Sequence, residues 1–191
     1  MIKVVHRVNT HKELIHIPTS YGIEVDVRTY YHGLVMNHDA NKPGDIFDLH
    51  INNFEHKFLI IDVKEEGIER EIIKVCEQNN IKNYFLLGVT FPFMLKLARE
   101  GFTKMALRYS EYEGIETAVR MKGMIDWLWV DTFDSLPPVP DFIREHYKIA
   151  LVSPCRWGRP RDIKKYNKEL VPDLVMTEMK HIEKWQEIVG T

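Results

Sequence analysis

The sequence predicts an α/β protein, specifically a compact (β/α)8 TIM barrel with minimal loops and some short or missing helices. Three observations favour this fold: short β-branched runs recur along the chain, helical patterns separate most of them, and no nucleotide-binding motif follows any run. Strands that alternate with helices are typical of parallel βα units. The eight predicted strands are residues 2–6, 22–28, 58–63, 83–87, 104–108, 126–130, 148–152 and 173–176.

The helical segments differ in the strength of their patterns. Residues 66–78 place apolar side chains on one face and charges on the other. Residues 91–99 carry Pro92 in the first turn and stop before Gly101, as helices commonly do. The remaining predicted helices are residues 45–54, 115–121, 140–146, 161–170 and 178–189, with a weaker candidate at residues 11–17.

An open, doubly wound sheet is the alternative arrangement of the same units. That version usually carries a glycine-rich phosphate loop, and neither GxGxxG nor GxxxxGK[ST] follows a predicted strand. The barrel is therefore preferred. Such barrels typically have roughly 200 or more residues, so a chain of 191 residues has little room for loops.

Composition limits the class of protein. A hydrophobic fraction of 45% and the lack of a linker or repeat predict a single domain over residues 1–191. The net charge of -2 gives no reason to expect a nucleic-acid partner. Cys76 and Cys155 have no CxxC spacing, which argues against a disulfide framework or a thiolate zinc site.

The expected location is the cytoplasm. The sequence has no run of 18 apolar residues, and its first residues, MIKVVHRVN, turn polar too soon for a signal peptide. We therefore expect no integral association with a membrane. The oligomeric state cannot be predicted from the sequence.

The most informative stretch is residues 22–39, GIEVDVRTYYHGLVMNHD. Strand periodicity places Glu24, Asp26 and Arg28 on one face, opposite the apolar side chains. Carboxylates that face a core are usually paired or hold a metal ion. A turn then returns His38 towards the same face, although a solvated edge strand with a surface histidine would fit this stretch equally well.

Polar residues also gather where the other predicted strands end. Parallel strands place these ends on one face, where barrel enzymes carry their active sites. A solvated rim is the favoured explanation for most of the later members of the set. The set comprises His6, Arg7, Glu24, Asp26, Arg28, Asp62, Lys64, Arg108, Asp131, Ser153, Arg156, Thr177 and Glu178.

The residue types of the first three strands favour phosphodiester chemistry. Three carboxylates without a cysteine favour Mg²⁺ or Ca²⁺ over zinc. Arg7 and Lys64 are of the types that hold phosphate oxygens. The histidines His6 and His38 are suited to general acid and general base roles near neutral pH.

These motifs resemble the glycerophosphodiester phosphodiesterases, of the phosphatidylinositol-specific phospholipase C-like barrel superfamily. The matching segments are HRVNT at 6–10, GIEVDVR at 22–28, GLVMNHD at 33–39 and IDVK at 61–64. The family pattern is roughly HRG, E-x-D, DG-x-V-x-x-HD and E-x-K. Most of the matching positions lie within residues 4–64, and VPDLVMTE looks like the family's last strand. Residues 80–170 agree with the family only in the alternation of strands and helices.

The resemblance implies a small glycerophosphodiester-like substrate and a metal-dependent phosphoric diester hydrolase. It implies that His6 and His38 form the acid–base pair. A substrate hydroxyl next to the phosphate attacks phosphorus while one histidine removes its proton and the other protonates the leaving alkoxide. Which histidine plays which role cannot be assigned from the sequence.

The resemblance also implies the binding residues. Glu24, Asp26 and Asp62 would hold a divalent cation, Mg²⁺ or Ca²⁺. Arg7 and Lys64 would bind the phosphate group. Apart from the resemblance, possible further substrate contacts are Arg108, Trp129 and Arg156. A tryptophan such as Trp129 more often belongs to a barrel wall, and residues 155–161 fit a solvated loop equally well.

The chain departs from the family pattern at several positions. Val8 replaces the usual glycine and is expected to crowd the phosphate, and only Asn9-Thr10 remains of the ENT triplet. Asp62 is one carbon shorter than the usual glutamate. Residues 39–57 leave only a stub of the insertion that recognises glycerol, so we expect a different alcohol group.

Two other readings remain open. One is a catalytically silent barrel that binds a phosphate or sugar-phosphate ligand, which the departures favour. The other is a sugar-phosphate isomerase or lyase, which is weaker because no glycine-rich phosphate loop follows the last strands. The remaining histidines, residues 11, 16, 32, 50, 56, 146 and 181, are expected on the surface or at helix caps.

Overall fold

The computed structural model describes residues 1–31 and 33–185, apart from the side chain of Asn167. All eight predicted strands are confirmed, within a few residues at their ends, and two further strands form a hairpin extension. In chain order the strands are β1 Ile2–Val5, β2 Gly22–Tyr30, β3 Gly33–Met36, β4 Asp45–Ile46, β5 Leu59–Val63, β6 Tyr84–Leu87, β7 Ala106–Tyr109, β8 Trp127–Val130, β9 Lys148–Val152 and β10 Leu174–Thr177.

Parallel pairing links the eight predicted strands in one order, as a TIM barrel requires. β2 pairs with β1 and β5, β5 pairs with β6, and β10 joins β1 to the series β9, β8 and β7. Between β6 and β7 the contact is a single parallel bridge from Leu86 to Met105, where the Leu86 amide donates to the Lys104 carbonyl over 3.0 Å. The predicted α/β fold class is confirmed.

Most helices are shorter than predicted, as expected for a barrel with so few residues. The predicted helix at residues 91–99 matches the structure at both ends, and the one at residues 66–78 begins three residues later. The helices are α1 His11–Leu14, α2 Phe47–Ile51, α3 Glu69–Gln78, α4 Phe91–Arg99, α5 Glu116–Arg120, α6 Asp141–Arg144 and α7 Ile163–Leu170. Within the described residues, no helix is both long and apolar enough to cross a bilayer.

Two helix predictions need correction. Residues 45–54 do not form one helix, because Asp45–Ile46 extends the hairpin by pairing with Val35 and Met36 before α2 begins. Residues 178–189 begin with a 3-10 helix, Met179–Trp185, rather than an α-helix, and residues 186–189 lie outside the described residues. Two further 3-10 turns, Pro154–Trp157 and Pro160–Asp162, precede α7.

The buried apolar side chains form two clusters because strand residues alternate between the barrel interior and the helical layer. The larger cluster lies between strands and helices and includes Ile23, Val25 and Val27 of β2. The smaller one fills the barrel. Its members are Val4, Phe58, Ile60, Phe85, Leu87, Ala106, Trp127, Trp129, Ala150, Val152, Leu174 and Met176. Both tryptophans therefore belong to the barrel interior.

One histidine is not where the sequence suggested. His50 is only 5% exposed, although it was expected on the surface or at a helix cap. It lies in α2, between the buried Phe47 and Ile51, so the short helix turns it inward. His32 falls outside the described residues.

Candidate active site

Inward-facing positions become polar at the carboxyl ends of the strands. Asp26 of β2 and Asp62 of β5 are register partners on adjacent parallel strands, so their side chains leave the sheet side by side. A pocket of about 190 Å³ opens above the apolar interior. It is lined by His6, Arg7, Asp26, His38, Asp62, Lys64, Leu87, Arg108, Trp129, Asp131, Phe133, Val152, Arg156, Trp157 and Met176.

Glu24 anchors the loop that follows β1. Its side-chain Oε2 accepts a 2.6 Å hydrogen bond from the Arg7 amide, and its carbonyl accepts one of 2.8 Å from the Val8 amide. Arg7 adopts a φ of 57° at this point. Glu24 is 2% exposed, and burial, reinforced by the charges of Asp26 and Asp62, raises the pKa of its carboxyl group.

Asp26 is held by three partners, Asn9 and Arg7 at Oδ2 and Lys64 at Oδ1. The Asn9 amide donates to Oδ2 over 2.7 Å, and the Asp26 backbone amide donates to Asn9 Oδ1 over 2.8 Å. Lys64 Nζ lies 2.9 Å from Oδ1, and Arg7 Nε lies 3.4 Å from Oδ2. Burial disfavours the ionised form, but the hydrogen bonds from Lys64 and Asn9 outweigh it and lower the pKa of Asp26.

Asp62 shares the Lys64 ammonium with Asp26. Lys64 Nζ donates to Oδ2 of Asp62. Burial raises the pKa of Asp62 despite this ion pair. Burial also disfavours the charged form of Lys64, but Asp62 and Asp26 outweigh it and raise the pKa of the ammonium group. Lys64 thus bridges two carboxylates rather than standing free in the pocket.

The three acidic residues fit a hard metal ion. One carboxylate oxygen from each of Glu24, Asp26 and Asp62 lies within 4.8 Å of the other two. An all-oxygen set of this kind suits Mg²⁺ or Ca²⁺. Asp62, one carbon shorter than the usual glutamate, still brings a carboxylate oxygen within this distance.

His6 lies at the end of β1, against the acidic cluster. Its amide donates to the Thr177 carbonyl over 2.9 Å, and its Nε2 lies 3.9 Å from Oε2 of Glu24. Burial, with the charges of Arg156 and Arg7, lowers the pKa of His6 to about 4. The imidazole is therefore neutral at physiological pH and able to accept a proton.

His38 reaches the pocket through the hairpin that follows β2. The Asn37 amide donates to the Asp26 carbonyl over 3.0 Å, which fixes the returning chain beside the acidic cluster. Arg28 Nε donates to the His38 carbonyl and Arg28 Nη1 to the Lys64 carbonyl, over 3.0 and 3.1 Å. The His38 side chain is half-exposed, and Nδ1 lies 3.0 Å from Oδ1 of Asp39.

The opposite wall of the pocket combines an ion pair with an aromatic surface. Arg108 Nη2 lies 3.1 Å from Oδ2 of Asp131, which also accepts from Trp129 Nε1 over 3.2 Å. Burial raises the pKa of Asp131 to about 6, although Arg108 opposes the shift. Beyond this pair, the ring centroids of Phe133 and Trp157 lie 4.7 Å apart.

The sequence-predicted residues converge. His6, His38, Arg7, Lys64, Asp26, Asp62, Arg108, Trp129 and Arg156 all line the pocket. Glu24 is not in the lining but lies directly beneath His6 and Arg7. Val8 does not crowd the pocket, because its side chain packs into the cluster between strands and helices.

The sequence assigns no role to several residues of the site. It identifies Asn9 only as part of an incomplete ENT triplet and Asp131 only as one of many strand ends. Arg28 was placed on the correct face, but its carbonyl contacts could not be predicted from residue type. Gly88 has a φ of 73° and lies against the Asp62 side chain, and nothing in the sequence around it signals that contact.

Comparisons with known proteins identify solved structures that share this fold. No family model matches the chain, and no curated protein matches its sequence. A solved glycerophosphoryl diester phosphodiesterase from Parabacteroides distasonis ATCC 8503 is similar, with a TM-score of 0.59 and 11% identity over 98% of this chain and 86% of that one. A putative glycerophosphoryl diester phosphodiesterase from Agrobacterium tumefaciens str. C58 has a TM-score of 0.67 and 11% identity, covering 100% and 99%. The resemblance expected from the motifs is confirmed for the fold, which this chain shares with these glycerophosphoryl diester phosphodiesterases along nearly its whole length.

Proposed function

We propose that the protein is a metal-dependent phosphoric diester hydrolase that cleaves a small glycerophosphodiester-like substrate. The observation that carries this proposal is the convergence of two histidines and three clustered carboxylates on one pocket at the carboxyl end of the barrel. A barrel fold alone would not support it, because the same fold serves many unrelated reactions. The two similar phosphodiesterase structures support the proposal by analogy, because they share this fold.

The cofactor is a divalent cation, Mg²⁺ or Ca²⁺, held by Glu24, Asp26 and Asp62. Such a cation supplies positive charge where negative charge develops on the phosphoryl oxygens. The protein residues around it do the positioning. Asn9 and the Arg7 amide hold two of the carboxylates, and Lys64 limits the repulsion between Asp26 and Asp62 while the cation is absent.

The histidines supply the proton transfers. In the first step a substrate hydroxyl attacks phosphorus, one imidazole takes its proton, and the other gives a proton to the departing alkoxide. Water then opens the cyclic phosphodiester as the two roles reverse. His6 is suited to begin as the base, since its lowered pKa keeps it neutral, and His38 then serves as the acid.

The phosphate group is bound by Arg7 and Lys64, with Arg156 at the rim. Among residues 1–31 and 33–185, Arg156 forms no ion pair with an acid, whereas Arg108 is already engaged by Asp131 and Glu113. The Arg156 guanidinium is thus the pocket cation most available to a substrate anion. The small pocket volume favours a compact head group, and Phe133 with Trp157 offers an apolar surface to its alcohol part.

Activity measurements on histidine variants test this proposal. His6→Ala and His38→Ala are each expected to lower turnover of a generic aryl phosphodiester by at least about 100-fold, the usual contribution of one general acid or base. His146→Ala is the matched control, because His146 is exposed and lies before β9, at the opposite end of the barrel. Removal of divalent cations with EDTA should abolish activity, and Mg²⁺ or Ca²⁺ should restore it. Unchanged rates in both site variants would refute the proposal.

A second candidate is a silent barrel that binds a phosphate or sugar-phosphate ligand. One observation favours it: Lys64 already bridges Asp26 and Asp62, so the acidic cluster is partly neutralised without a cation. Calorimetric titration with glycerol phosphate, beside assays on a panel of phosphodiesters, separates the two. Binding without turnover of any diester would select the silent barrel.

A further inference from the structure

A second group of metal-ligating side chains lies outside the pocket. One ligand atom from each of Cys155, Glu178 and His181 lies within 4.8 Å of the other two, and none of the three residues lines the pocket. We propose that these residues bind a divalent metal ion of the zinc class, distinct from the Mg²⁺ or Ca²⁺ of the acidic cluster. This inference is independent of the proposed function.

The fold brings the three residues together from separate loops. Glu178 follows β10 and immediately precedes the 3-10 helix Met179–Trp185. Because a 3-10 helix has 3.0 residues per turn, side chains three apart share a face, and His181 Nε2 lies 3.8 Å from Oε2 of Glu178. Cys155 comes from the 3-10 turn after β9, the strand that pairs with β10. The sequence spacing therefore carried no metal-site signature.

The surroundings of the Cys155 sulfur suit a thiolate ligand. The thiol is 7% exposed, and Sγ lies 3.0 Å from Ser153 Oγ and 3.3 Å from Thr177 Oγ1. Trp185 Nε1, which can only donate, bonds to Ser153 Oγ over 3.2 Å. Because the indole occupies an acceptor site of this oxygen, the Ser153 hydroxyl proton is free to point at a thiolate sulfur. Hydroxyl groups arranged in this way orient a metal-bound thiolate and stabilise its charge.

The histidine and the glutamate complete the donor set. His181 Nδ1 is buried, and no hydrogen-bond partner for it exists within the described part of the chain. Glu178 is about one-third exposed, which leaves a path for an ion to enter. Lys180 Nζ lies 3.0 Å from Oε2 of Glu178, but its side chain is largely exposed and can turn into solvent when a metal ion replaces its charge.

The donor chemistry selects the metal. One sulfur, one nitrogen and one oxygen favour zinc and related ions over Mg²⁺ or Ca²⁺. Zn–S bonds of about 2.3 Å and Zn–N bonds of about 2.0–2.1 Å place tetrahedral ligand atoms about 3.4–3.6 Å apart. The 3.8 Å between His181 Nε2 and Glu178 Oε2 is close to this spacing, and the ligand atoms of the set all lie within 4.8 Å of one another. Binding transfers the thiol proton to solvent, and the thiolate and carboxylate together balance the two charges of the ion.

A metal ion bound here would link the loops that follow β9 and β10 at the carboxyl end of the barrel. Arg156, the pocket cation without an acid partner among the described residues, directly follows Cys155. The Thr177 carbonyl accepts from the His6 amide, and Glu178 is the next residue. Joining the loops after β9 and β10 would therefore hold both features in place.

Cobalt titration of the reduced, full-length chain tests the site. Co²⁺ bound to a thiolate gives an ultraviolet charge-transfer band, which a carboxylate site cannot produce. The titration is run with excess Mg²⁺ so that the acidic cluster is occupied. We expect one equivalent of Co²⁺ to produce the band and Zn²⁺ to displace it. The Cys155→Ser variant should lose the band, while the matched control Cys76→Ser, at the chain's other buried thiol, should keep it.

Two further variants make the test independent of the cysteine. His181→Gln and Glu178→Gln should each weaken Co²⁺ binding by more than about tenfold, since even outer-shell changes cost about 10–100-fold in affinity. Thermal unfolding confirms that each variant folds, and Zn²⁺ should raise the unfolding midpoint of the wild type but not of Cys155→Ser. Absence of the band in the wild type, its persistence in Cys155→Ser, or unchanged affinity in both glutamine variants would overturn the proposal.

Discussion

Gly88 lies so close to Asp62 that a side chain at this position would overlap the carboxylate. A Cβ built on Gly88 would meet Oδ1 of Asp62 and would lie 2.7 Å from the Val63 carbonyl oxygen. The glycine also has a φ of 73°, a conformation that L side chains rarely adopt. The loop after β6 therefore leaves the space in which Asp62 turns towards Asp26 and Lys64.

Gly88→Ala is expected to weaken binding of the divalent cation and to lower activity. The new methyl group must displace the Asp62 carboxylate or the backbone around it, and the positive φ alone costs about 1 kcal/mol or more of stability. Isothermal titration with Mg²⁺ and Ca²⁺, together with thermal unfolding, measures both effects.

Gly123→Ala is the control for this prediction. Gly123 has a φ of 74°, almost the same as Gly88, but a Cβ there would meet nothing within 4 Å. Both variants should lose stability from the backbone conformation, and only Gly88→Ala should lose cation affinity. Equal cation affinity in the two variants would show that Gly88 does not position Asp62.

Lys64→Met is expected to make the fold depend on a divalent cation. Lys64 Nζ lies 2.9 Å from Oδ1 of Asp26 and also donates to Asp62, so its loss leaves buried carboxylates without their nearest positive charge. We expect the cation-free protein to lose about 1–3 kcal/mol of stability, less than the roughly 3–5 kcal/mol for a fully buried ion pair because the Lys64 side chain is 19% exposed. Mg²⁺ or Ca²⁺ should recover more stability in the variant than in the wild type.

Thermal unfolding in EDTA and in excess cation measures this coupling. Lys104→Met is a suitable control because Lys104 is partly exposed and donates to a backbone carbonyl rather than to an acid. If Lys64→Met weakened phosphate binding without altering stability in EDTA, Lys64 would serve the substrate and not the acidic cluster.

The fold could largely be predicted because its signals are local. Eight apolar runs separated by amphipathic segments specify parallel βα units, and proline and glycine marked the ends of α4 well. The boundaries of short helices could not be predicted in the same way. The boundaries of a one-turn helix depend on the strands that it connects. Asp45–Ile46 forms a strand because the edge of β3 offers hydrogen-bonding groups to it.

The candidate site was predictable where strand alternation decides the direction of a side chain. Alternation placed Glu24 and Asp26 on one face, and parallel strands brought Asp62 beside them. Contacts between distant loops were not predictable. The Gly88 contact depends on the packing of β6 against β5, and the Cys155 cluster depends on β9 pairing with β10.

The burial of His50 predicts a loss of stability in mild acid. The side chain is 5% exposed, and neither ring nitrogen has a hydrogen-bond partner within the described residues. Burial lowers the pKa of His50 from 6.5 to about 4, with Asp45 opposing the shift. Between these values the unfolded chain binds a proton that the folded chain does not. The stabilising contribution is therefore complete above pH 6.5 and declines as the pH falls towards 4.

His50→Phe should remove this pH dependence, because phenylalanine keeps a planar ring and has no titrating group. We expect the wild type to lose about 2–3 kcal/mol relative to the variant between pH 7.5 and pH 4.5, from the shift of this one group. Urea unfolding of both proteins across that range measures the difference. His146→Gln, at an exposed histidine, should follow the wild type closely. Parallel stability curves for the wild type and His50→Phe would show that His50 takes up its proton in the folded chain as readily as in the unfolded one.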